Sequence, residues 1–357
     1  MPKVTIVLPV RNSTLHLIEA LDSIKFQSFQ DWDLLAIHEF DSNDGSLELL
    51  ETYRKKEKRI QIIENSEKLG LARSLNLGIQ KAEGEYIARM DADDISAPTR
   101  LEKQVALMDS NPQIGACGTY QHHFGSEIDW IHKPPITPEE CRANFLFDCD
   151  ICHSTMMLRK KVFIENHLFY DPSYLAEDYE LWTRAVRVTE FTNIPEVLGE
   201  YRWEGNNITI SKKEKLAKEN AIIVANALKR NLDLEIPKED YILLEGWGNP
   251  FLAEKNKIKR KEMYQRYQEI LKEIYKKNKA IGFYEEKALL GILASQWRYV
   301  RYLEPRNIKR EVNSIEEILN PHYIPDYKNM WKCYLSRKKT ISARIKTLYR
   351  FIRKKWS

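Results

Sequence analysis

The sequence is poor in cysteine and glycine and has no long apolar run. Five cysteines in 357 residues are too few for a disulfide scaffold. No export signal precedes them, because Lys3 runs straight into the strand-like Val4–Val10 without a small-residue cleavage site. They are read as reduced thiols of a cytoplasmic protein. No stretch approaches the ~20 apolar residues that span a bilayer; the longest, near Ala221–Leu228, is broken by Asn226. The sparse glycines form neither Gly-x-Gly-x-x-Gly after the first strand nor Gly-x-x-x-x-Gly-Lys-Ser/Thr, which sets aside dinucleotide enzymes and P-loop NTPases. Segment 336–357 lacks acids altogether and carries nine Lys and Arg. The rest holds 47 basic against 52 acidic residues, so a mildly acidic body ends in a strongly basic tail. A basic body would point to nucleic acid; a basic tail points to an anionic surface.

What is present is ample apolar material, 43% of residues, with 30% charged. That composition excludes a disordered chain, and the length fits one large domain or two ordinary ones at roughly 150 residues each. Val4–Val10, Leu34–Ile37, Ile60–Ile63 and Tyr86–Met90 read as buried strands. Between them lie helical patterns. Leu15, Ile18, Leu21 and Ile24 keep helical spacing after a capping Ser13, Leu47–Tyr53 follows Gly45, and Leu71–Ala82 makes a third. Strands alternating with helices predict βαβ units and a mostly parallel sheet. From about Ser211 the chain turns helical and lysine-rich, with Met263, Tyr267, Ile270 and Ile274 on one face.

Each strand ends in polar or acidic residues. Pro9, Arg11 and Asn12 follow the first, Glu39, Asp41 and Asp44 the second, Asn65 the third, and Asp91, Asp93 and Asp94 the fourth. Ligands of open parallel sheets bind beyond the carboxyl ends of the strands, so these four ends predict one cleft. Three carboxylates in four residues repel one another unless a cation sits among them. Oxygen ligands suit Mg²⁺ or Mn²⁺, with waters and substrate phosphates completing the shell. A second acidic run, Ala176–Trp182, places Tyr179 and Trp182 where both can face a core while Asp178 points elsewhere. Cys149-Asp150-Ile151-Cys152-His153 matches a haem-attachment pattern, but haem attachment requires export, and the spacing is read as chance.

Val4–Asn12, Ser42–Ser46, Asn65 with Gly70–Arg73 and Asn76, Gly84–Ile87, Asp91–Asp94, Ala176–Trp182 and Tyr201-Arg202 come in an order that resembles family 2 glycosyltransferases. The likeness covers roughly residues 3–205. It implies an inverting, metal-dependent enzyme of the GT-A fold that uses a nucleotide-sugar donor, usually a UDP-sugar. By this resemblance Pro9, Asn12, Glu39 and Arg73 hold uracil and ribose, Asp91 contacts ribose or sugar, and Asp93 binds the Mn²⁺ or Mg²⁺ that bridges the diphosphate. Asp178 matches the catalytic base. His153, Ser154, Glu177 and Trp182 fall along the sugar or acceptor pocket. Two positions depart from the family. Glu39-Phe40-Asp41 stands where two aspartates and a glycine are usual, and Trp203-Glu204 follows Tyr201-Arg202 where many relatives carry a histidine. Glu204 would then bring charge toward the metal or diphosphate.

The expected organisation is a nucleotide-sugar-binding half over 1–98, an acceptor-binding half with the base over 99–210, a helical extension over 211–335 and a basic tail over 336–357. In that tail Ile341, Ile345, Leu348, Ile352 and Trp356 recur at helical spacing, the pattern of an interfacial amphipathic helix. The expected activity is transfer of a sugar to a lipid-linked or polysaccharide acceptor at the inner face of a membrane, in cell-surface glycan synthesis. The enzyme alternative is a nucleotidyltransferase acting on sugar phosphates, which should carry a glycine-rich, lysine-containing loop where Arg11–Thr14 stands. The non-enzyme alternative is a membrane-associated glycan-binding protein on the same fold, against which intact Asp91, Asp93 and Asp178 argue.

Overall fold

A computed structural model describes residues 1–125, 128–203, 211–245 and 250–302. Glu204 and the basic tail lie outside these residues.

The apolar N-terminal runs form β1 (Val4–Val10), β2 (Trp32–His38), β3 (Ile60–Glu64) and β4 (Tyr86–Arg89). All pair in parallel, in the order β3-β2-β1-β4. Helices α1 (Thr14–Lys25), α2 (Ser46–Lys56) and α3 (Leu71–Lys81) connect them. The chain moves outward from β1 to β3 and then crosses to β4 on the other side of β1. That reversal opens a crevice between the ends of β1 and β4.

Beyond β4 the sheet becomes mixed. After β5 (Ile95–Ser96) and α4 (Arg100–Ser110) come the long β6 (Ile114–Gly125) and β7 (Ile128–His132), then α5 (Pro138–Asn144), β8 (Met157–Arg159) and α6 (Lys160–Glu165). Helix α7 (Glu177–Ala185) and β9 (Glu190–Trp203) complete the α/β part. β8 lies antiparallel between β4 and β6, β9 runs parallel to β6, and β5 and β7 pair antiparallel with β9 and β6. The C-terminal helices are α8 (Lys213–Leu232), α9 (Pro250–Ala253), α10 (Lys257–Ile281) and α11 (Glu286–Tyr302). No helix among the described residues is long and apolar enough to cross a membrane.

Alternation along the strands divides the core. On one face Val4, Ile6, Leu8 and Val10 meet α1, α2 and α4. On the other, Val7, Leu35 and Ile37 meet α3, α6 and α7. Gly78 lets α3 lie close on this second face, because a Cβ there would come within 2.4 Å of a Val7 methyl carbon. A third cluster joins Ile223, Leu228, Ile270, Ile274 and Trp297 of the C-terminal helices to Ala143 and Tyr179 of the α/β part. The extension is therefore packed on the body, each fully buried large side chain contributing ~1.5–3 kcal/mol.

One expected helix face is corrected. α1 buries Leu17, Ala20, Leu21 and Ile24, while Leu15 and Ile18 are 80% and 48% exposed. The helix carries two apolar stripes, and the sheet accepts the one at 17, 20, 21 and 24.

Candidate active site

The loops after β1 and β2 are laced together. Asn12 adopts a left-handed backbone (φ 50°), which asparagine tolerates. Its N–H donates to Ser42 Oγ at 2.8 Å, and its Oδ1 accepts the Asn43 N–H at 3.1 Å. Arg11 grips Asp41 through two hydrogen bonds of 2.8 and 2.9 Å. Asp44 accepts the Thr14 N–H at 2.8 Å and the Ser46 N–H at 3.1 Å. Burial works against these bonds, yet they hold the Asp44 carboxyl at a pKa of about 2. Pro9 lies in β1, paired with Ile37 of β2, and Arg73 is exposed on the first turn of α3.

Glu39 has a structural task. It is 4% exposed. Its Oε1 accepts the N–H groups of Phe40 and Leu69, each at 3.0 Å, and its Oε2 accepts the Gly70 N–H at 2.6 Å. Burial would raise its pKa, but these backbone donors bring it below the ordinary value. Gly70 accepts this geometry with φ 74°, where a side chain would be strained. Glu39 thus fastens the loop that launches α3, and most of its acceptor capacity is occupied.

At the other lip, β4 ends in the acid run. Arg89, the last residue of β4, is 4% exposed, and its guanidinium pairs with Asp91 Oδ2. Asp93 lies open to the cleft. Partial desolvation and the Asp91 charge lift its pKa to about 6. Asp94 is buried and accepts the Arg202 N–H at 3.1 Å. Burial and its two acidic neighbours push it well above the usual carboxylate range. Its Oδ2 makes no hydrogen bond of ordinary geometry, with the Ser154 hydroxyl as a weak polar neighbour. Among the described residues no three His, Cys, Asp or Glu side chains enclose a metal by themselves. The carboxylates here suit a hard divalent cation that takes most of its shell from water and phosphate.

Facing this run is the first turn of α7. Asp178 Oδ1 accepts the Tyr179 N–H at 2.7 Å. Its Oδ2 lies 3.6 Å from the Cys149 thiol and 3.8 Å from His153 Nδ1. His153 Nε2 is 2.9 Å from the Tyr170 hydroxyl. Burial and the nearby Arg89 charge hold His153 well below its ordinary pKa, so the imidazole is neutral. Burial raises the pKa of Asp178, opposed by the Tyr179 N–H and by Arg89. Glu177 is buried, and burial together with the Asp178 charge lifts it to about 8. At neutral pH Glu177 is therefore protonated, beside an Asp178 whose side chain is 24% exposed.

The structure brings Asp91, Asp93, His153, Glu177 and Asp178 together around Arg89, while Asn12 bonds to Ser42 and Asn43. Two expected pocket residues stand behind this group. Trp182 is fully buried and meets His153 edge-on, the ring centres 5.9 Å apart, so it backs the pocket rather than lining it. Its spacing from Tyr179 did mark a core contact. Ser154 is 5% exposed, with its hydroxyl 2.6 Å from Gln121 Nε2. Cys149 and His153 both approach Asp178 Oδ2, and His153 also reaches Tyr170, so the haem-like spacing serves the surroundings of that carboxylate. The residue that sequence reasoning missed is Arg89. Its charge acts on Asp91, Asp93, Asp94, Glu177 and Asp178 alike. An arginine inside the otherwise apolar Tyr86–Met90 was the available signal.

The model of glycosyl transferase family 2 matches residues 5–168. An uncharacterized glycosyltransferase of Haemophilus influenzae is 34% identical over 220 residues, covering 57% of this chain and 67% of that protein. Another, from Methanocaldococcus jannaschii, is 30% identical over 223 residues, or 60% of this chain and 76% of its own. The crystal structure of S. aureus TarS 1-349 in complex with UDP-GlcNAc aligns with a TM-score of 0.56 at 15% identity, over 87% of this chain and 92% of that one. At that identity the likeness speaks for the fold alone. Sequence relatives and fold agree, and the chain belongs to glycosyl transferase family 2, a glycosyltransferase built on the GT-A fold.

Proposed function

We propose that this enzyme transfers a sugar from a UDP-sugar to a hydroxyl of a glycan or lipid-linked acceptor with inversion, aided by Mn²⁺ or Mg²⁺, in cell-surface glycan synthesis. The observation that carries this reading is the meeting of two carboxylate groups across one cleft: Asp91 and Asp93 at the end of β4, and Glu177 and Asp178 at the start of α7, with Arg89 acting on both. The TarS neighbour is bound to UDP-GlcNAc, which favours a uridine donor.

In this reading the loop of Pro9 and Asn12, together with Arg73, receives uracil and ribose, and Asp91 meets the ribose or donor sugar. Glu39 fastens the loop before α3, on whose first turn Arg73 stands. A divalent cation held by Asp93 would neutralise the departing diphosphate as a Lewis acid. The acceptor oxygen attacks the anomeric carbon, the bond from that carbon to the diphosphate oxygen breaks, and UDP leaves with the electron pair. Asp178 removes the acceptor proton as the new bond forms. Protonated Glu177 keeps a second negative charge away from Asp178 at neutral pH. A nucleotidyltransferase would need the first carboxylate group but has no use for the second.

The nine Lys and Arg of the tail at 336–357 support a location against anionic lipid at the inner face of a membrane. The deciding measurement is a thermal-shift screen of nucleotide sugars with Mn²⁺ or Mg²⁺. A ligand at 100 times its Kd stabilises the folded state by ~2.7 kcal/mol. Metal-dependent stabilisation by UDP and at least one UDP-sugar is expected. A screen in which no nucleotide sugar raises the melting temperature refutes the assignment.

A further inference from the structure

β6, β7 and β9 put a group of aromatic rings on one face of the sheet, outside all three apolar cores. The register pairs Gln121 with His132 and His123 with Trp130 across β6 and β7. It pairs His123 with Tyr201, and Gly125 with Trp203, across β6 and β9. Alternation along each strand therefore turns Gln121, His123, Trp130, His132, Tyr201 and Trp203 to the same side. His123 is the hub, its ring centre 4.3 Å from that of Trp130, 4.9 Å from Tyr201 and 5.5 Å from His132. Tyr201 and Trp203 extend the strip at 6.3 Å. Trp32, Trp182 and Trp297 are fully buried, whereas Trp130, Tyr201 and Trp203 remain half-exposed.

The strip is tied at two points to residues that neighbour the acid run and the Asp178 turn. Gln121 Nε2 donates to Ser154 Oγ at 2.6 Å, and Ser154 stands beside Asp94. His132 Nε2 lies 2.9 Å from Asp150, next in sequence to the Cys149 that touches Asp178. The opposite face of the same strands is pinned to the acid run, with Arg202 Nε donating to the Asp93 carbonyl at 3.1 Å.

We propose that this aromatic strip is the acceptor subsite, and that it holds a neutral pyranose ring of the acceptor glycan with one hydroxyl directed to Asp178. The proposal rests on Asp178 as the base and adds the acceptor's class. A pyranose ring offers one face of C–H groups that packs on an aromatic plane, and the half-exposed Trp130, Tyr201 and Trp203 rings supply such planes. An acyclic polyol has no such face. A phosphate on the acceptor unit would meet Asp150 and Asp178 with like charge, so a neutral sugar is the fitting occupant.

The test is saturation-transfer NMR on the full chain loaded with UDP and Mg²⁺. The probes are methyl pyranosides of glucose, galactose, mannose and N-acetylglucosamine, with sorbitol phosphate as the acyclic, charged contrast. At least one pyranoside should bind, with saturation strongest on its ring C–H protons, and sorbitol phosphate should not. Trp130→Ala and Tyr201→Ala should each weaken that binding at least tenfold, and Trp130→Phe should stay within threefold of wild type. UDP–Mg²⁺ affinity within twofold certifies an intact donor half in each variant; should Trp130→Ala fail that check, Tyr201→Ala carries the comparison. Absence of pyranoside binding to wild type, binding indifferent to both alanine variants, or preferred binding of sorbitol phosphate overturns the proposal. If Asp178→Asn transfers sugar at the wild-type rate while pyranoside binding still depends on Trp130, the base assignment fails and the subsite stands.

Discussion

Replacing Arg89 with methionine keeps a long unbranched side chain and removes the buried charge on which both carboxylate groups depend. Arg89 is 4% exposed, and its partner Asp91 has a side chain 26% exposed. Breaking a fully buried ion pair costs ~3–5 kcal/mol. Water reaches Asp91, so the expected loss at pH 7 is nearer ~2–3 kcal/mol, read as a lower urea midpoint at unchanged slope. The pH dependence follows from the direction of the shifts. Arg89 lowers the pKa values of Asp178 and Glu177 in the folded protein. Without it those folded-state values rise further above their unfolded ones. A carboxyl shifted upward stabilises the fold at low pH and loses that contribution as pH rises through its folded pKa. The deficit of Arg89→Met should therefore shrink between pH 7 and pH 5. As the proposed base, Asp178 has to be ionised to accept a proton, so the acid limb of the transfer rate should move to higher pH. Arg89→Met/Asp91→Asn should recover part of the stability but not the acid limb. Equal stability of wild type and Arg89→Met at both pH values, or an unmoved acid limb, refutes the reasoning.

Asp178→Asn should cut sugar transfer by at least ~10² and leave UDP–Mn²⁺ affinity within about threefold, measured by UDP release and calorimetry; a joint fall would make Asp178 a donor-site residue. Asp93→Asn should abolish the Mn²⁺-dependent stabilisation by UDP while leaving the ligand-free melting temperature unchanged or raised, since one of three mutually repelling carboxylates is gone. Gly78→Ala should cost ~1–3 kcal/mol in urea denaturation through the forced contact with Val7, and an unchanged midpoint would show that α3 can shift. Deleting 337–357 should release the protein from anionic vesicles in a sedimentation assay, as each Lys or Arg near the surface contributes ~1 kcal/mol; undiminished binding would place the membrane contact elsewhere.

The parallel half of the fold was legible because its strands are short apolar runs bounded by helical patterns, and their parallel pairing puts the four polar ends along one edge of the sheet. Glu39 illustrates what was not legible. Its position at the end of β2 was plain, but its occupation by the Leu69 and Gly70 amides depends on how the loop before α3 folds back. Arg89 could be seen as an oddity in a strand, yet its partners come from α7 as well as from its own loop. The aromatic strip was hidden because parallel pairing of β6 with β9 joins distant segments. Trp182 was misplaced because sequence spacing gives the face of a helix but not what covers it.

The same difficulty applies to the C-terminal helices, whose charged, lysine-rich sequence reads as an appendage. Their packing says otherwise. Tyr179 inserts into the cluster built by α8, α10 and α11, while Trp182, one turn later, inserts into the sheet core. α7 thus crosses from one core to the other, and Asp178 rides on the turn where it does so. The N–H groups of Leu175 and Ala176, just before that turn, both donate to Glu219 of α8, at 2.7 and 3.3 Å. These donors have no partner within α7 itself, so the extension supplies what the turn that carries Asp178 lacks. The donor loops are held differently, by Arg11 on Asp41, Asp44 on Thr14 and Glu39 on Gly70, all within the first eighty residues. With Asp178 as the proposed base, loosening α8, for example by Glu219→Ala, should therefore slow sugar transfer while nucleotide affinity holds, and an equal fall in both would show that the extension supports the whole body instead.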